Sequence, residues 1–105
     1  MESKGKTQTF LGFAVRAGKY RAGFNSVQTL KRAELLVICK TASENSLKEA
    51  KKLAAKFRCP LLKTDKQTLA EIIFKENAKL MAVTDKNLAR AAIAGSEKDF
   101  ITVQE

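Results

Sequence analysis

Three short runs, Leu35-Leu36-Val37-Ile38, Leu61-Leu62 and Leu80-Met81-Ala82-Val83, are apolar at every position. A strand with one wetted face alternates apolar and polar side chains, whereas a strand apolar throughout must be covered on both sides. The covering elements are legible around the runs, where apolar residues recur at helical spacing. These stripes are Phe10, Phe13, Ala14 and Ala17; Phe24, Val27 and Leu30; Leu47, Ala50, Ala54 and Phe57; and Leu69, Ile72 and Ile73. Doubly covered strands alternating with helices predict an α/β fold. The expected form is a three-layer α/β/α sandwich around a mostly buried mixed sheet of about four strands. With 105 residues the chain is expected to be one domain, 1–105, whose core needs no disulfide or metal.

Residues 1–6 read as frayed. Gly18 is placed to cap the C-terminus of the first helix, residues 19–22 read as a brief extended piece, and Gly23 breaks it before the second helix. A strand over 35–39 leads into a polar turn, 40–46. Ser46-Leu47-Lys48-Glu49 and Thr64-Asp65-Lys66-Gln67 both have the spacing of a capping box. Pro60 stands at a strand entrance, where no ladder donor is required. Residues 75–79 form a polar loop, Thr84-Asp85 caps a last helix over 86–94 ended by Gly95, and 100–103 reads as a final edge strand.

Charge narrows the function. Twenty Lys and Arg stand against eleven Asp and Glu, a net +9. The excess is uneven, since residues 1–33 hold seven cations and one anion, Glu2. Within them, 16–32 carries Arg16, Lys19, Arg21, Lys31 and Arg32 and no anion. A basic, glycine-punctuated segment running into a buried strand presents backbone and cations to a polyanion. Nucleic acid is therefore the expected partner. The lysine row Lys48, Lys51, Lys52 and Lys56 reads instead as a solvated helix face.

Enzyme chemistry finds little support. The chain has no histidine, which removes the commonest general base and metal ligand together. Gly18 and Gly23 have the spacing of a phosphate-binding loop, but Phe24-Asn25 stands where Lys-Ser/Thr is required. No GxGxxG is present, and Asp65 and Asp85 are better placed as helix caps than as catalytic carboxylates. Cys39 and Cys59, without histidine, make a poor zinc site and read as buried reduced thiols. A non-enzyme without cofactor or metal is expected. No signal-peptide core or membrane-length apolar run is present, so the expected location is cytoplasmic, away from membranes. A monomer is expected, since no helix shows an exposed apolar seam.

Asn25 is the sharpest single residue. At a helix start its amide can read a base edge. It can equally serve as an N-cap, with Gln28 three residues on. The residues alone leave both open.

Taken in order, Arg16-Ala-Gly-Lys-Tyr-Arg-Ala-Gly-Phe-Asn25, Leu35-Leu-Val-Ile, Thr41-Ala-Ser-Glu-Asn45 and Ala82-Val-Thr-Asp85 resemble the kink-turn RNA-binding ribosomal protein family. This is the archaeal and eukaryotic large-subunit "seven-Ae / thirty-e" type. The similarity runs over 10–94 and looks closest to the family's small bacterial members, which are associated with ribosomes or structured RNA. The resemblance implies an α/β/α sandwich gripping a sharply bent RNA, expected here to be ribosomal. It implies that Gly23 and Asn25 meet the sheared G·A pairs, with Phe24, Ser26 and Thr29 beside them. Arg16, Lys19, Arg21 and Arg32 would hold phosphates, and Thr41 and Ser43 would flank the RNA. Lys75, Glu76, Asn77, Ala78 and Lys79 would cover a flipped-out nucleotide. Ser26 and Thr29 stand where the family carries Glu and Lys, Leu69-Ala70 where it has Leu-Gly, and the 75–79 loop is more polar than is usual. The alternative these departures favour is a ribosome-associated protein-interaction module of the same fold, with little base readout.

Overall fold

The strand at Leu35–Ile38 lies at the centre of the sheet, and all four of its residues are buried. A computed structural model describes residues 6–65, 68–73, 78–94 and 100–103 of the protein. In chain order the elements are α1 (Lys6–Ala17), β1 (Tyr20–Ala22), α2 (Phe24–Gln28), β2 (Leu35–Ile38) and α3 (Glu44–Phe57). There follow β3 (Leu61–Thr64), α4 (Leu69–Ile73), β4 (Leu80–Val83), α5 (Lys86–Ala94) and β5 (Phe100–Val103).

The strands form one five-stranded mixed sheet in the order β1-β4-β2-β3-β5. β2 and β3 are parallel; the other three pairings are antiparallel. This is one strand more than the expected four or so. The short basic piece before Gly23 joins the sheet as edge strand β1, with Tyr20 opposite Val83 and Ala22 opposite Met81. Propensity alone does not announce a three-residue strand; here the free edge of β4 supplies the partners its backbone needs.

The expected layers are present. Leu35, Val37, Met81 and Val83 point to the side covered by α1, α4 and α5, packing with Leu11, Ala14, Leu69, Ile72, Ile73, Ala89 and Ala92. Leu36, Ile38, Leu80 and Ala82 point to the other side and pack with Val27 of α2 and Ala50 and Ala54 of α3. Alternation along a strand thus serves two cores instead of one core and water.

Several local expectations change. The buried face of α1 centres on Leu11 and Ala14, while Phe13 is 41% exposed. Its ring meets Phe10 edge-on at 5.6 Å, and the Arg16 guanidinium lies over it at 5.1 Å. Packing against α5 rotates the helix by about one residue from the stripe read in the sequence. α2 is shorter than its apolar spacing suggested. α3 begins earlier, with Ser43 as N-cap accepting a hydrogen bond from Ser46 N–H at 3.1 Å, so Ser46 is not the cap. Thr64 does not open α4; it ends β3, buried, and its hydroxyl accepts from Lys40 N–H at 2.8 Å. The capping box lies at Thr68 and Glu71, each side chain accepting from the other's backbone N–H. Lys66 and Gln67, Gly95 and residues 1–5 of the segment 1–6 expected to fray lie outside the described residues, while Lys6 opens α1.

Two caps behave as read. Gly18, at φ +72°, ends α1, with Lys19 N–H to Ala14 C=O at 2.9 Å and Gly18 N–H to Val15 C=O at 3.2 Å. Asp85 caps α5 by accepting from Leu88 N–H at 2.9 Å.

Candidate functional site

The C-terminal ends of β1, β2 and β3 and the start of β4 lie together at one end of the sheet, because β4 runs against β1 and β2. Gly23 N–H donates to Leu80 C=O at 2.8 Å, and Cys39 N–H donates to Lys79 C=O at 2.8 Å. These two bonds, to consecutive carbonyls, bring the start of α2 and the 39–43 turn to either side of Lys79. Lys79 Nζ then donates to Thr41 Oγ1 at 2.7 Å. Gly23, Asn25, Thr41 and Lys79 are thereby gathered from three distant stretches of sequence.

Gly23 is the N-cap of α2, at φ 91° and ψ 149° with no side-chain cap bond. That conformation is open to glycine and strained for any other residue. A Cβ added at Gly23 would meet no atom within 4 Å, so the glycine answers to backbone conformation and not to crowding. Since Gly23 caps the helix, Asn25 does not. It lies in the first turn, exposed, and among the described residues its Oδ1 accepts only from Gln28 Nε2 at 3.4 Å. The capping alternative for Asn25 is thus removed, and its amide is presented outward beside an open backbone.

Other predicted residues carry structural duties. Phe24, expected beside Asn25, is half-buried against the α2–α3 core, and Ala78 is buried, so the Ala78 side chain is not free to cover a nucleotide. Thr29 Oγ1 donates to Ser26 C=O at 2.8 Å, and the Ser43 hydroxyl is engaged with Ser46. Ser26 itself is exposed. Arg21, in the middle of β1, is exposed and donates to Tyr20 C=O at 2.9 Å. Lys75, Glu76 and Asn77 lie outside the described residues.

Arg16, Lys19 and Arg32 are not brought to this site. Lys19 C=O accepts from Thr84 N–H at 3.0 Å and Glu34 N–H donates to Val83 C=O at 2.9 Å, which places the stretches around them at the other end of β4. Arg32 is ion-paired there with Glu34 at 3.1 Å. The 16–32 segment looks like one basic patch around Gly23 and Asn25 in sequence, but it runs along β1 and returns, leaving Arg16, Lys19 and Arg32 at the far end of β4 and Arg21 in mid-strand.

Cys39, missed as a site neighbour, sits beneath this surface. Its Sγ is 3.1 Å from Thr41 Oγ1 and accepts from Leu69 N–H at 3.3 Å. Burial pushes the Cys39 thiol up, but the Thr41 and Leu69 hydrogen bonds and the Lys79 ammonium outweigh it, leaving the thiol below its ordinary value. Cys39 is buried, so this arrangement ties the turn to α4 and does not expose a nucleophile. Cys59 is the opposite case: burial, with the Glu34 charge adding to it, pushes the thiol up to about 11.

No family model and no curated protein matches the chain. A solved structure from Bacillus halodurans C, described as a protein of unknown function, matches with a TM-score of 0.73 at 22% identity. The match covers 87% of this chain and 96% of that one. The likeness shows the fold. Among the described residues no helix is long and apolar enough to cross a membrane, and no group of three or more His, Cys, Asp or Glu is placed to hold a metal ion.

Proposed function

We propose that the protein is a non-enzymatic RNA-binding module that recognises a kink-turn or similarly bent RNA, with ribosomal RNA the expected source. The observation that carries the reading is the exposed Asn25 amide, released from capping by Gly23 and set beside an unobstructed glycine backbone. Lys79, anchored on Thr41, supplies a cation at the same end of the sheet. Backbone and cation position a phosphate chain, while an amide can read a base edge. A net charge of +9 favours a polyanionic partner in general.

The competing reading, a ribosome-associated protein-interaction module without base readout, draws on one observation. Arg16, Lys19 and Arg32 stand away from Asn25, which leaves its surroundings less basic than the sequence suggested. Titration of kinked and straight RNA of equal length and composition, over a range of salt, separates the two. The proposed function requires tighter binding of the kinked form, with an affinity that falls as salt rises. Equal binding of the two forms supports the interaction module, and no binding at low salt removes RNA altogether.

A further inference from the structure

At the opposite end of the sheet lies a cleft of about 400 Å³ that no sequence motif announced. Four cations line it: Arg32 before β2, Arg58 after α3, and Lys86 and Arg90 on α5. Lys86, Ala89, Arg90 and Ile93 recur at i, i+3, i+4 and i+7, so one stripe of α5 faces the cleft. Ala33 and Ala89 are buried, and Phe57, Cys59 and Ile93 half-buried, which gives the cleft an apolar floor. Among the described residues the one anion in the lining, Glu34, is paired with Arg32. Among the described residues no carboxylate pairs with Arg58, Lys86 or Arg90. Cations over a low-dielectric floor focus a positive potential into the space between them.

Arg58 adds an independent point. At φ 54° and ψ 46° it is the one described residue other than glycine with positive φ, at the C-cap of α3, where glycine is the usual occupant. A side chain there is strained, and the strain falls on a cation that lines the cleft. Three of the four cations are arginines, whose planar fork matches the oxygens of a phosphate in pairs.

We propose that this cleft is a second phosphate-binding site, which holds the sugar-phosphate backbone of an RNA segment outside the bend read by Asn25. The inference rests on the protein being an RNA binder. A backbone unit suits the site better than an acidic peptide does, because the cleft is short and bounded by the end of α3 and a face of α5. Extended peptides dock on a sheet edge or along a groove.

The test pairs the double charge reversal Lys86→Glu/Arg90→Glu with Asn25→Ala. Each is titrated against kinked and straight RNA with long helical arms, from low to moderate salt. Both reversed residues are exposed, and the neutral pair Lys86→Gln/Arg90→Gln with thermal melts controls for folding. The reversal is expected to weaken both RNAs roughly ten-fold and to lower the log–log salt slope by about 2, while the kinked-over-straight preference persists. Asn25→Ala is expected to do the reverse, keeping the slope and losing the preference. If the wild type prefers kinked RNA and the reversal changes neither slope nor affinity, the second site is overturned and the first stands. If the wild type binds neither RNA, both readings fail together. If the reversal spares RNA but abolishes binding of polyglutamate, the cleft takes acidic protein and the proposal is wrong.

Discussion

Replacing Asn25 by alanine separates folding from recognition at the residue on which the functional reading turns. As a helix N-cap, Asn25 would satisfy a backbone donor, and its loss would cost about 1 kcal/mol of stability. Gly23 holds the cap position instead, and among the described residues the only side-chain bond of Asn25 is the 3.4 Å contact from Gln28, at an exposed site. Such a contact contributes a few tenths of a kcal/mol, and the better helix propensity of alanine returns about as much. The expected change in stability is therefore within roughly 0.5 kcal/mol of zero, read from the urea midpoint at unchanged m-value. Recognition should respond differently. A lost base contact removes about 1–3 kcal/mol of discrimination, or roughly 5- to 150-fold in the ratio of kinked to straight affinities. Paired titrations on the folded variant measure that ratio. A variant destabilised by 1 kcal/mol or more that still prefers kinked RNA as strongly as the wild type would refute the assignment.

Other expectations follow from the backbone and the thiols. Gly23→Ala places a Cβ in open space at φ 91°, so its cost is conformational alone: about 1–3 kcal/mol of strain, offset by up to ~1 from a stiffer unfolded chain. Gly12→Ala, within α1 and equally unobstructed, should have the opposite sign and stabilise by about 0.5–1 kcal/mol. Denaturant melts that move both variants in the same direction would contradict this. Cys59 favours its neutral thiol in the folded state, so above pH 9 the unfolded chain ionises first, and the contribution of Cys59 to stability is lost between pH 9.0 and about 11. Stability measured across that window should fall less steeply in Cys59→Ala, and an unchanged slope would show that the burial of Cys59 has no such effect.

Much of the fold was legible because burial leaves a local signature. Leu35, Leu36, Val37 and Ile38 can be apolar together only if both faces of their strand are covered, and α3 shows its buried stripe through Leu47, Ala50, Ala54 and Phe57 at helical spacing. Capping chemistry was legible where one residue type dominates, as at Gly18 and Asp85. It was misread where several Ser and Thr compete, because Ser43 and Ser46, or Thr64 and Thr68, differ only in where the preceding strand stops. The exposed face of α1 depended on its packing against α5, which no local pattern encodes.

The charges show the division most clearly. Composition and order along the chain established that the protein is basic and that Gly23 and Asn25 stand at a helix start. Sequence proximity also suggested that the cations of residues 16–32 surround Gly23 and Asn25, and that did not survive folding. β1 pairs antiparallel with β4 and α2 leads back along the sheet, so Gly23 and Lys19, four positions apart, end at opposite ends of one strand. The same strand order carries Arg32, Arg58, Lys86 and Arg90, scattered over more than half the chain, to the rim of one cleft. Hydrophobic periodicity is a property of neighbours in sequence and could be read there. Electrostatic surfaces are sums over neighbours in space, and the order and direction of the strands decide which charges those are.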